Sequence, residues 1–402
     1  MIRRLNWADL PLGAPVVPVG ELSLHRSLTS GLCRRPGDPS GVFWGVGDRG
    51  PNIKPHDAAR RYGLTALEPL AVLDGAKIMV APEIGPALAR FRLDGNCVVL
   101  EARFLLHAPD GTPINGLPPA EQRGAETEAV FAIDGSPLPT SVHGADCEGV
   151  ALAPGGRFWV AEEYGPSLLL VDDQGVVLRR VVPQGSEGRF AGSAVPISAS
   201  LPVIACKRRL NRGFEALAFD PVRNVIYAAF QSPLAHPDKA AHDAGDLVRI
   251  WALNPDDLTF LREYAYPLDP PARFARDSAA GQVVPGDVKI SEMAVLPDGS
   301  LIVLERVTLS THLYRVMPGK PVPARFIDPD HRPTLEQVGQ AGCGDHRIAM
   351  LTKQRIVSSD DHPEICGDLE GLLVLEGGDL LLANDSDYGT EGAATQFWRI
   401  SV

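Results

Sequence analysis

The chain has 402 residues, of which 45% are hydrophobic and 22% charged, and its formal net charge at pH 7 is −12. This balance is typical of a globular protein, and the acidic excess argues against nucleic acid as a general partner. No run approaches the ~20 apolar residues of a membrane-spanning helix, so we expect no membrane insertion. The 40 glycines and 36 prolines favour many tight turns over long helices.

The first twenty residues lack the apolar central region of a secretory signal. We therefore expect a cytoplasmic protein, or a periplasmic or secreted one if the chain is a trimmed mature form. Its six cysteines never form a CxxC pair, which argues against a zinc site of cysteine type.

Hairpin-like segments recur along the chain. In the clearest, DCEGVALAPGGRFWVAEEYGP, an apolar strand, a Pro-Gly-Gly turn and an aromatic return strand are flanked by acidic residues. Segments of this type are, in chain order, Ser30–Asn52, Asp146–Pro166, Phe214–Pro233, Ile290–Val307 and Asp368–Gly389. Recurring turn-rich modules that carry the same hairpin are typical of a β-propeller.

A weaker module of three strand candidates lies at Ala71–Leu106 and brings the number of modules to six. We therefore predict an all-β fold, a six-bladed β-propeller, with five or seven blades as alternatives. The modules are longer than a minimal blade needs. The sequence thus predicts one domain over residues 1–402, with loop insertions at about 106–146, 183–211 and 328–368.

The last predicted blade shows only three strands, within Glu370–Val402. A propeller is commonly closed by a strand from the opposite terminus, which removes a free sheet edge. Because the segment Val16–Leu28 alternates in polarity, we predict that this N-terminal strand joins the C-terminal blade.

Acidic residues precede the predicted first strands, and in a propeller these strands line the central axis. A bare ring of carboxylates is relieved by a hard divalent cation, and calcium takes six to eight oxygen ligands. Few histidines lie near these motifs, so calcium or magnesium is favoured over zinc or iron. The predicted metal ligands are Asp48, Asp146, Glu148, Glu215, Glu292, Asp368, Glu370 and Asp385.

A second set of acids closes the return strands, namely Asp48, Glu163, Glu305 and Asp385. Antiparallel neighbours place the end of one strand beside the start of the next, so both sets are expected at one rim. For any single glutamate, capping a strand or pairing with arginine is the alternative role. Alignment on the turn Pro297-Asp298-Gly299 shifts Glu292 by one position, which would turn its side chain elsewhere.

Three motifs together resemble the phytase-like domain family, labelled "esterase-like activity of phytase". They are DCEGVALAPGGRFWVAEEYGPSLLLVDDQG, NRGFEALAFDP with VIYAAFQSPL, and DLEGLLVLEGGDLLLANDSDYG. The resemblance spans roughly Leu22–Ile400. It implies hydrolysis of a phosphate ester with bound calcium.

A phosphate ester needs cations to hold its anion, and Arg49 and Arg212 adjoin the acidic rim, so both are predicted to bind substrate. Lys289 also precedes a first strand, but a salt bridge to a rim carboxylate is the preferred reading for it. The candidate catalytic residues, one of which would act as general base, are Glu148, Glu163, Glu215 and Glu370.

Two other functions stay open. The first is a calcium-dependent lactonase or carboxylic esterase, in which Asn384 and Asn52 would be ligands and Arg49 and Arg212 dispensable. The second is a non-enzymatic binding propeller whose carboxylates only cap strands. The expected partner is a small-molecule substrate, and we expect a monomer.

Overall fold

A computed structural model describes residues 1–121 and 126–401. The strands of the first part of the chain are β1 (Ile2–Leu5), β2 (Pro11–Gly13), β3 (Leu24–His25), β4 (Gly31–Cys33), β5 (Val42–Gly47), β6 (Asn52–Ile53), β7 (Lys77–Met79), β8 (Ala87–Asp94), β9 (Cys97–Leu105), β10 (Val130–Ala132), β11 (Cys147–Leu152), β12 (Phe158–Glu162), β13 (Ser167–Val171), β14 (Val177–Pro183) and β15 (Ile197–Leu201). Those that follow are β16 (Phe214–Asp220), β17 (Val225–Phe230), β18 (Leu247–Leu253), β19 (Phe260–Pro267), β20 (Lys289–Val295), β21 (Leu301–Arg306), β22 (Thr311–Val316), β23 (Lys353–Ser358), β24 (Leu369–Val374), β25 (Leu380–Asn384) and β26 (Phe397–Ile400).

Helices are short and lie in the connections between strands. The α-helices are α1 (Pro55–Tyr62), α2 (Lys239–Ala244), α3 (Ala275–Ala280) and α4 (Leu335–His346). Short 3-10 segments are Thr65–Val72, Pro154–Gly156, Glu187–Phe190, Val203–Lys207, Pro271–Arg273, Pro285–Asp287, Ala324–Ile327, Ser359–Asp361 and Asp387–Gly389. Within the described part of the chain, no helix has both the length and the apolarity required to cross a membrane.

Five sheets of four or five strands form the body of the molecule. We call them sheets 1 to 5, and their strand orders are β4-β5-β8-β9, β11-β12-β13-β14-β15, β16-β17-β18-β19, β20-β21-β22-β23 and β24-β25-β26-β1. Neighbouring strands are antiparallel except β14 and β15. The first strand of each sheet contacts the first strand of the next, and β24 of sheet 5 contacts β4 of sheet 1. A cycle of sheets around a central axis is a propeller-like arrangement.

The module predicted at Ala71–Leu106 is not a sheet of its own. Its second and third strands, β8 and β9, complete sheet 1 next to β5. Its first strand, β7, instead pairs with β6 and β10 in a small sheet outside the cycle. The six predicted modules therefore form five sheets. The outer strands of the first sheet, β8 and β9, follow β5 only after a long connection that contains α1.

An N-terminal strand does join the C-terminal sheet, but it is not the predicted one. β1 pairs with β26, with Ile2 opposite Ile400 and Leu5 opposite Phe397. Within the predicted segment Val16–Leu28, only β3 is a strand, and it pairs with β2. Pro15 and Pro18 explain the difference, since proline has no N–H for a sheet ladder.

The predicted insertions contain secondary structure of their own. Residues 106–146 include β10, residues 183–211 include β15, and residues 328–368 include α4 and β23. Residues 122–125, part of the first of these insertions, lie outside the described residues.

Glycines allow the first strands to approach one another closely. A Cβ at Gly31 would lie 2.7 Å from the carbonyl oxygen of Glu148, and one at Gly371 would lie 2.8 Å from that of Thr29. At Gly149 a Cβ would overlap the carbonyl oxygen of Glu215. The glycine that follows glutamate in the DCEG and DLEG motifs therefore fits the narrow centre of the molecule.

Candidate functional site

The first strands of sheets 2 to 5 share an irregularity near their beginning. Their pairing register shifts at the same place relative to the return strand, which is the mark of a β-bulge. A bulge adds one residue to a strand and re-aims its side chain. The residues inside these four irregular intervals include Glu148, Glu215, Ser291 and Glu370.

These bulges border a cavity of about 670 Å³ at one end of the central axis, which we call the axial cavity. β6, β7, α1 and α2 add residues to its outer wall. The predicted site residues that line it are Asp48, Arg49, Glu148, Glu163, Arg212, Glu215, Asp368, Glu370 and Asp385. The structure thus brings together residues that are up to 337 positions apart in the sequence.

Glu292, predicted as a metal ligand, does not line the axial cavity. Its buried side chain accepts hydrogen bonds from the backbone N–H groups of Leu217 (3.3 Å) and Met293 (2.9 Å). The bulge explains this placement, because Ser291 occupies the position that glutamate holds in sheets 2, 3 and 5. Glu292 thus stands outside the axial cavity, and its predicted role as a metal ligand stays a prediction.

The return strand of sheet 4 differs by one position in the same way. Glu305 is fully buried and accepts hydrogen bonds from Tyr266 (2.6 Å) and Lys353 (2.7 Å), away from the axial cavity. The next residue, Arg306, lines the cavity instead. Sheet 4 therefore contributes a cation where Glu163 and Asp385 stand in sheets 2 and 5.

Among the residues that the structure describes, two groups of carboxylates converge closely enough to hold a metal ion. In each, every residue offers one oxygen atom, and these atoms all lie within 4.8 Å of one another. The groups are Asp48, Asp146 and Glu148, and Glu148, Glu163 and Glu215. Glu148 is shared between the two.

Several oxygen atoms of these groups are buried without a hydrogen-bond partner among the described residues. They include Oδ1 of Asp146, Oε1 of Glu163 and Oε2 of Glu215. An unsatisfied buried polar atom is costly and calls for an explanation, such as an ion that the atom would bind. Clustered hard oxygen donors are the ligand set of calcium or magnesium, so these residues fit such an ion.

Burial raises the pKa of these carboxyls, and neighbouring charges modify the effect. The pKa of Asp48 is raised to about 6, that of Glu215 to about 7 and that of Glu163 to about 8, with burial as the largest cause in each. Glu163 further raises the pKa of Glu215, and Asp146 that of Glu163. Burial and nearby Asp146 also lift the pKa of Glu148 well above its ordinary value.

Arg49 is almost fully buried, and protein groups bind both terminal nitrogens of its guanidinium, while its Nε has no hydrogen-bond partner among the described residues. It donates to Glu128 (2.7 Å), Tyr164 (2.8 Å) and Asn211 (2.7 Å), and lies 3.0 Å from Asp146. The salt-bridge alternative that the sequence left open therefore describes its contacts. Its predicted role towards substrate stays a prediction.

Arg212, the other predicted substrate cation, has a different environment. Its Nη1 is buried without a hydrogen-bond partner among the described residues. Burial lowers its pKa, while nearby Glu163 and Glu215 act in the opposite direction. Arg212 therefore lines the axial cavity and keeps one buried donor without a partner among the described residues.

Sequence reasoning assigned Lys289 to a salt bridge and did not consider Arg306. Lys289 lines the axial cavity and forms no ion pair within residues 1–121 and 126–401. Arg306 donates to Ser291 Oγ (2.8 Å) and Asp368 (2.8 Å) and also to Glu370. In the strand register, Arg306 is the residue of sheet 4 that is equivalent to Glu163 in sheet 2 and Asp385 in sheet 5. Aligning the return strands by register, and not by their acidic residues, would have identified it.

Asp385, a predicted metal ligand, is anchored by protein groups. It accepts hydrogen bonds from Ser27 (2.5 Å) and Ser30 (2.9 Å). Asp387, which was not among the predicted site residues, also lines the axial cavity. Burial, Asp385 and Asp368 raise the pKa of Asp387 to about 7.

Comparison with known proteins adds the following similarities. A curated relative from Arthroderma benhamiae, described as an uncharacterized secreted protein, is 26% identical over 226 residues, which is 49% of this chain and 41% of that protein. The crystal structure of a protein of unknown function from Bacteroides caccae is 12% identical, covering 61% of this chain and 56% of that one, with a TM-score of 0.28. A putative oxidoreductase (glucose dehydrogenase) from Thermus thermophilus is 12% identical, covering 100% and 99%, with a TM-score of 0.39.

The protein-family comparison covers most of the chain. The model "Phytase-like: Esterase-like activity of phytase" matches residues 29–388. This span contains the three motifs on which the resemblance was based, apart from the final glycine of the third, and every predicted site residue. The chain belongs to the phytase-like family.

Proposed function

We propose that the protein hydrolyses phosphate esters of a small molecule in the axial cavity, on a five-bladed propeller, with the help of a divalent cation, calcium being favoured. One observation carries the proposal: four carboxylates of the two converging groups line the same cavity as two cations that form no ion pair within the described residues. The carboxylates are Asp48, Glu148, Glu163 and Glu215, and the cations are Arg212 and Lys289. Membership of the phytase-like family supports an esterase-type activity.

The two carboxylate groups that share Glu148 are the proposed metal site. When bound there, a divalent ion would lower the pKa of a water molecule and neutralise phosphoryl oxygens. The unpaired oxygens of Asp146, Glu163 and Glu215 are the atoms that we expect to bind such an ion.

Glu163 and Glu215 are the proposed candidates for the general base. A base works best when its pKa lies near the working pH. Without a metal ion the pKa values of Glu163 and Glu215 are about 8 and about 7, and a bound cation would lower both. Glu370 accepts a hydrogen bond from Arg306. We therefore assign Glu370 the task of holding Arg306 in place.

The lactonase alternative receives less support from the structure. It would use Asn384 as a metal ligand, but this side chain donates to the carbonyl oxygens of Asp385 and Ala394 and accepts from the N–H of Gln396 (2.6 Å). Its amide thus closes a turn and does not line the axial cavity. No observation favours a purely binding propeller over an enzyme.

Turnover of a substrate panel tests the proposal. Aryl phosphates, phosphodiesters and lactones are assayed with calcium and with a chelator. We expect hydrolysis of a phosphate ester that the chelator abolishes, and no lactone opening. Lactone turnover would favour the esterase alternative, and absence of any turnover, with a melting temperature indifferent to chelator, would leave only the binding propeller.

A further inference from the structure

Two positive charges face each other across sheet 4. Lys289 is the direct cross-strand partner of Arg306 in the β20–β21 pair. Like charges directly opposite on a sheet are unfavourable. Arg306 is offset by Asp368 and Glu370, whereas Lys289 forms no ion pair within the described residues. A lysine placed beside an arginine, with no carboxylate at ion-pair distance among the described residues, suggests that an external anion completes the arrangement.

Sheet 3 brings a third cation to the same place. Gly213, next to Arg212, packs so tightly on the backbone of Glu163 that a Cβ would overlap it. The backbone beside Arg212 is thereby fixed, and Arg212 and Lys289 both line the axial cavity. Burial, followed by charge repulsion from Arg306 and Arg212, lowers the pKa of the Lys289 ammonium to about 8. The cluster contains one arginine with carboxylate partners, Arg306, and two cations that form no ion pair within the described residues, Arg212 and Lys289.

We infer that Lys289 and Arg212, steadied by Arg306, form an anion subsite that binds the phosphoryl group of the substrate. Lysine binds a phosphate as a point charge, while the planar guanidinium of arginine can donate two parallel hydrogen bonds. The inference rests on the proposed function for its ligand class. It moves the main anion contact from Arg49, whose terminal nitrogens already pair with Glu128 and Asp146, to Lys289.

The subsite adjoins the proposed metal groups through Glu215. This carboxylate belongs to the second metal group and lies near both Arg212 and Lys289. A phosphoryl group bound between the two could therefore meet the metal on one side and the cations on the other. Phosphate is expected to bind more tightly once the ion has neutralised the carboxylates.

Calorimetric titration of the full-length protein with inorganic phosphate tests the inference, with calcium and with chelator. Lys289→Met and Arg212→Gln should each weaken phosphate binding about tenfold or more, as expected for loss of a charge-assisted hydrogen bond. Lys239→Met is the matched control, since this exposed cavity lysine already pairs with Asp243 (2.6 Å). Its affinity for phosphate should stay within about twofold of the wild-type value.

The folding of the variants and the turnover of esters are checked separately from phosphate binding. Lys289→Met should melt no lower than the wild type, because the variant loses repulsion with Arg306. Equal phosphate affinity in wild type and Lys289→Met, or no phosphate binding under either condition, would overturn the inference even if the enzyme hydrolyses esters. Conversely, phosphate binding that depends on Lys289 in a protein without turnover would keep the subsite and refute the hydrolase.

Discussion

Gly149 lies against the backbone of Glu215 so closely that no side chain fits between them. This contact joins sheets 2 and 3 immediately beside Glu148, the residue that both carboxylate groups share. The close approach of two first strands is thus what brings Glu148 and Glu215 within reach of one ion.

Replacing Gly149 with alanine should therefore damage both the fold and the site. The added methyl would force the two strands apart, and overpacking of this kind costs about 1–3 kcal/mol. Urea unfolding measures the loss, and calcium affinity should fall with it. Gly319→Ala is the control, since the nearest atom to a Cβ there is 3.9 Å away. Equal stability of the two variants would contradict the proposed close contact.

The two predicted substrate arginines should differ in their effect on stability. Arg49→Met leaves Asp146 and Glu128 buried without their cation, and breaking a buried pair costs about 3–5 kcal/mol. Arg212→Met removes a side chain that forms no ion pair within the described residues, so a loss below about 1 kcal/mol is expected. Urea unfolding of both variants provides the measurement. A small loss of stability in Arg49→Met and a large one in Arg212→Met would contradict the assignment of Arg49 to a buried ion pair.

Stability without metal should decrease as pH rises from about 5 to about 8. The folded protein keeps Glu163 and Glu215 protonated up to pKa values of about 8 and about 7, above the ordinary glutamate value of 4.5. The folded state therefore binds more protons than the unfolded state in this pH window. The resulting gain in stability is complete only below the pKa of the unfolded state and is lost as the pH rises through the folded pKa values.

Calcium should oppose that trend, because it binds the deprotonated carboxylates. The difference in melting temperature between calcium and chelator should then be larger at pH 8 than at pH 5. Thermal unfolding at both pH values, with and without calcium, gives the four melting temperatures needed. A calcium effect that is larger at pH 5 would contradict the carboxylate site.

Removing residues 1–5 should destabilise the C-terminal sheet. Without β1, the strand β26 becomes an edge with unpaired backbone groups, and exposed edges promote aggregation. Light scattering and thermal unfolding of the truncated protein should show association and a lower melting temperature. The double replacement Arg3→Gln and Arg4→Gln keeps the backbone pairing and should behave like the wild type.

The hairpins and the convergence of their acids could be predicted from the sequence, because both follow from local pattern and strand polarity. Glu148, Glu215 and Glu370 line one cavity, as expected. The number of sheets could not be predicted in the same way, since β8 and β9 join β5 only after a long excursion. Residues that close a sheet from far along the chain leave no local signal.

Sheet 4 shows a second limit. The acids Glu292 and Glu305 match the motif by residue type, yet each is one position away from the place that the cavity-lining acids hold in the other sheets. Ser291 and Arg306 stand at those places, and of the two Arg306 lines the axial cavity. In strands a shift by one residue moves a side chain to the other face. The position of the bulge determines this shift, and the amino-acid types alone do not reveal it.

Calcium titration of wild type and Glu148→Gln tests the central claim most directly. Asp243→Asn serves as the control, because Asp243 lines the axial cavity outside both carboxylate groups. We expect calcium binding to the wild type and to Asp243→Asn, and a loss of affinity of about tenfold or more in Glu148→Gln, as for loss of one charged contact. Unchanged calcium affinity in Glu148→Gln, or no calcium binding to the wild type, would contradict the central claim.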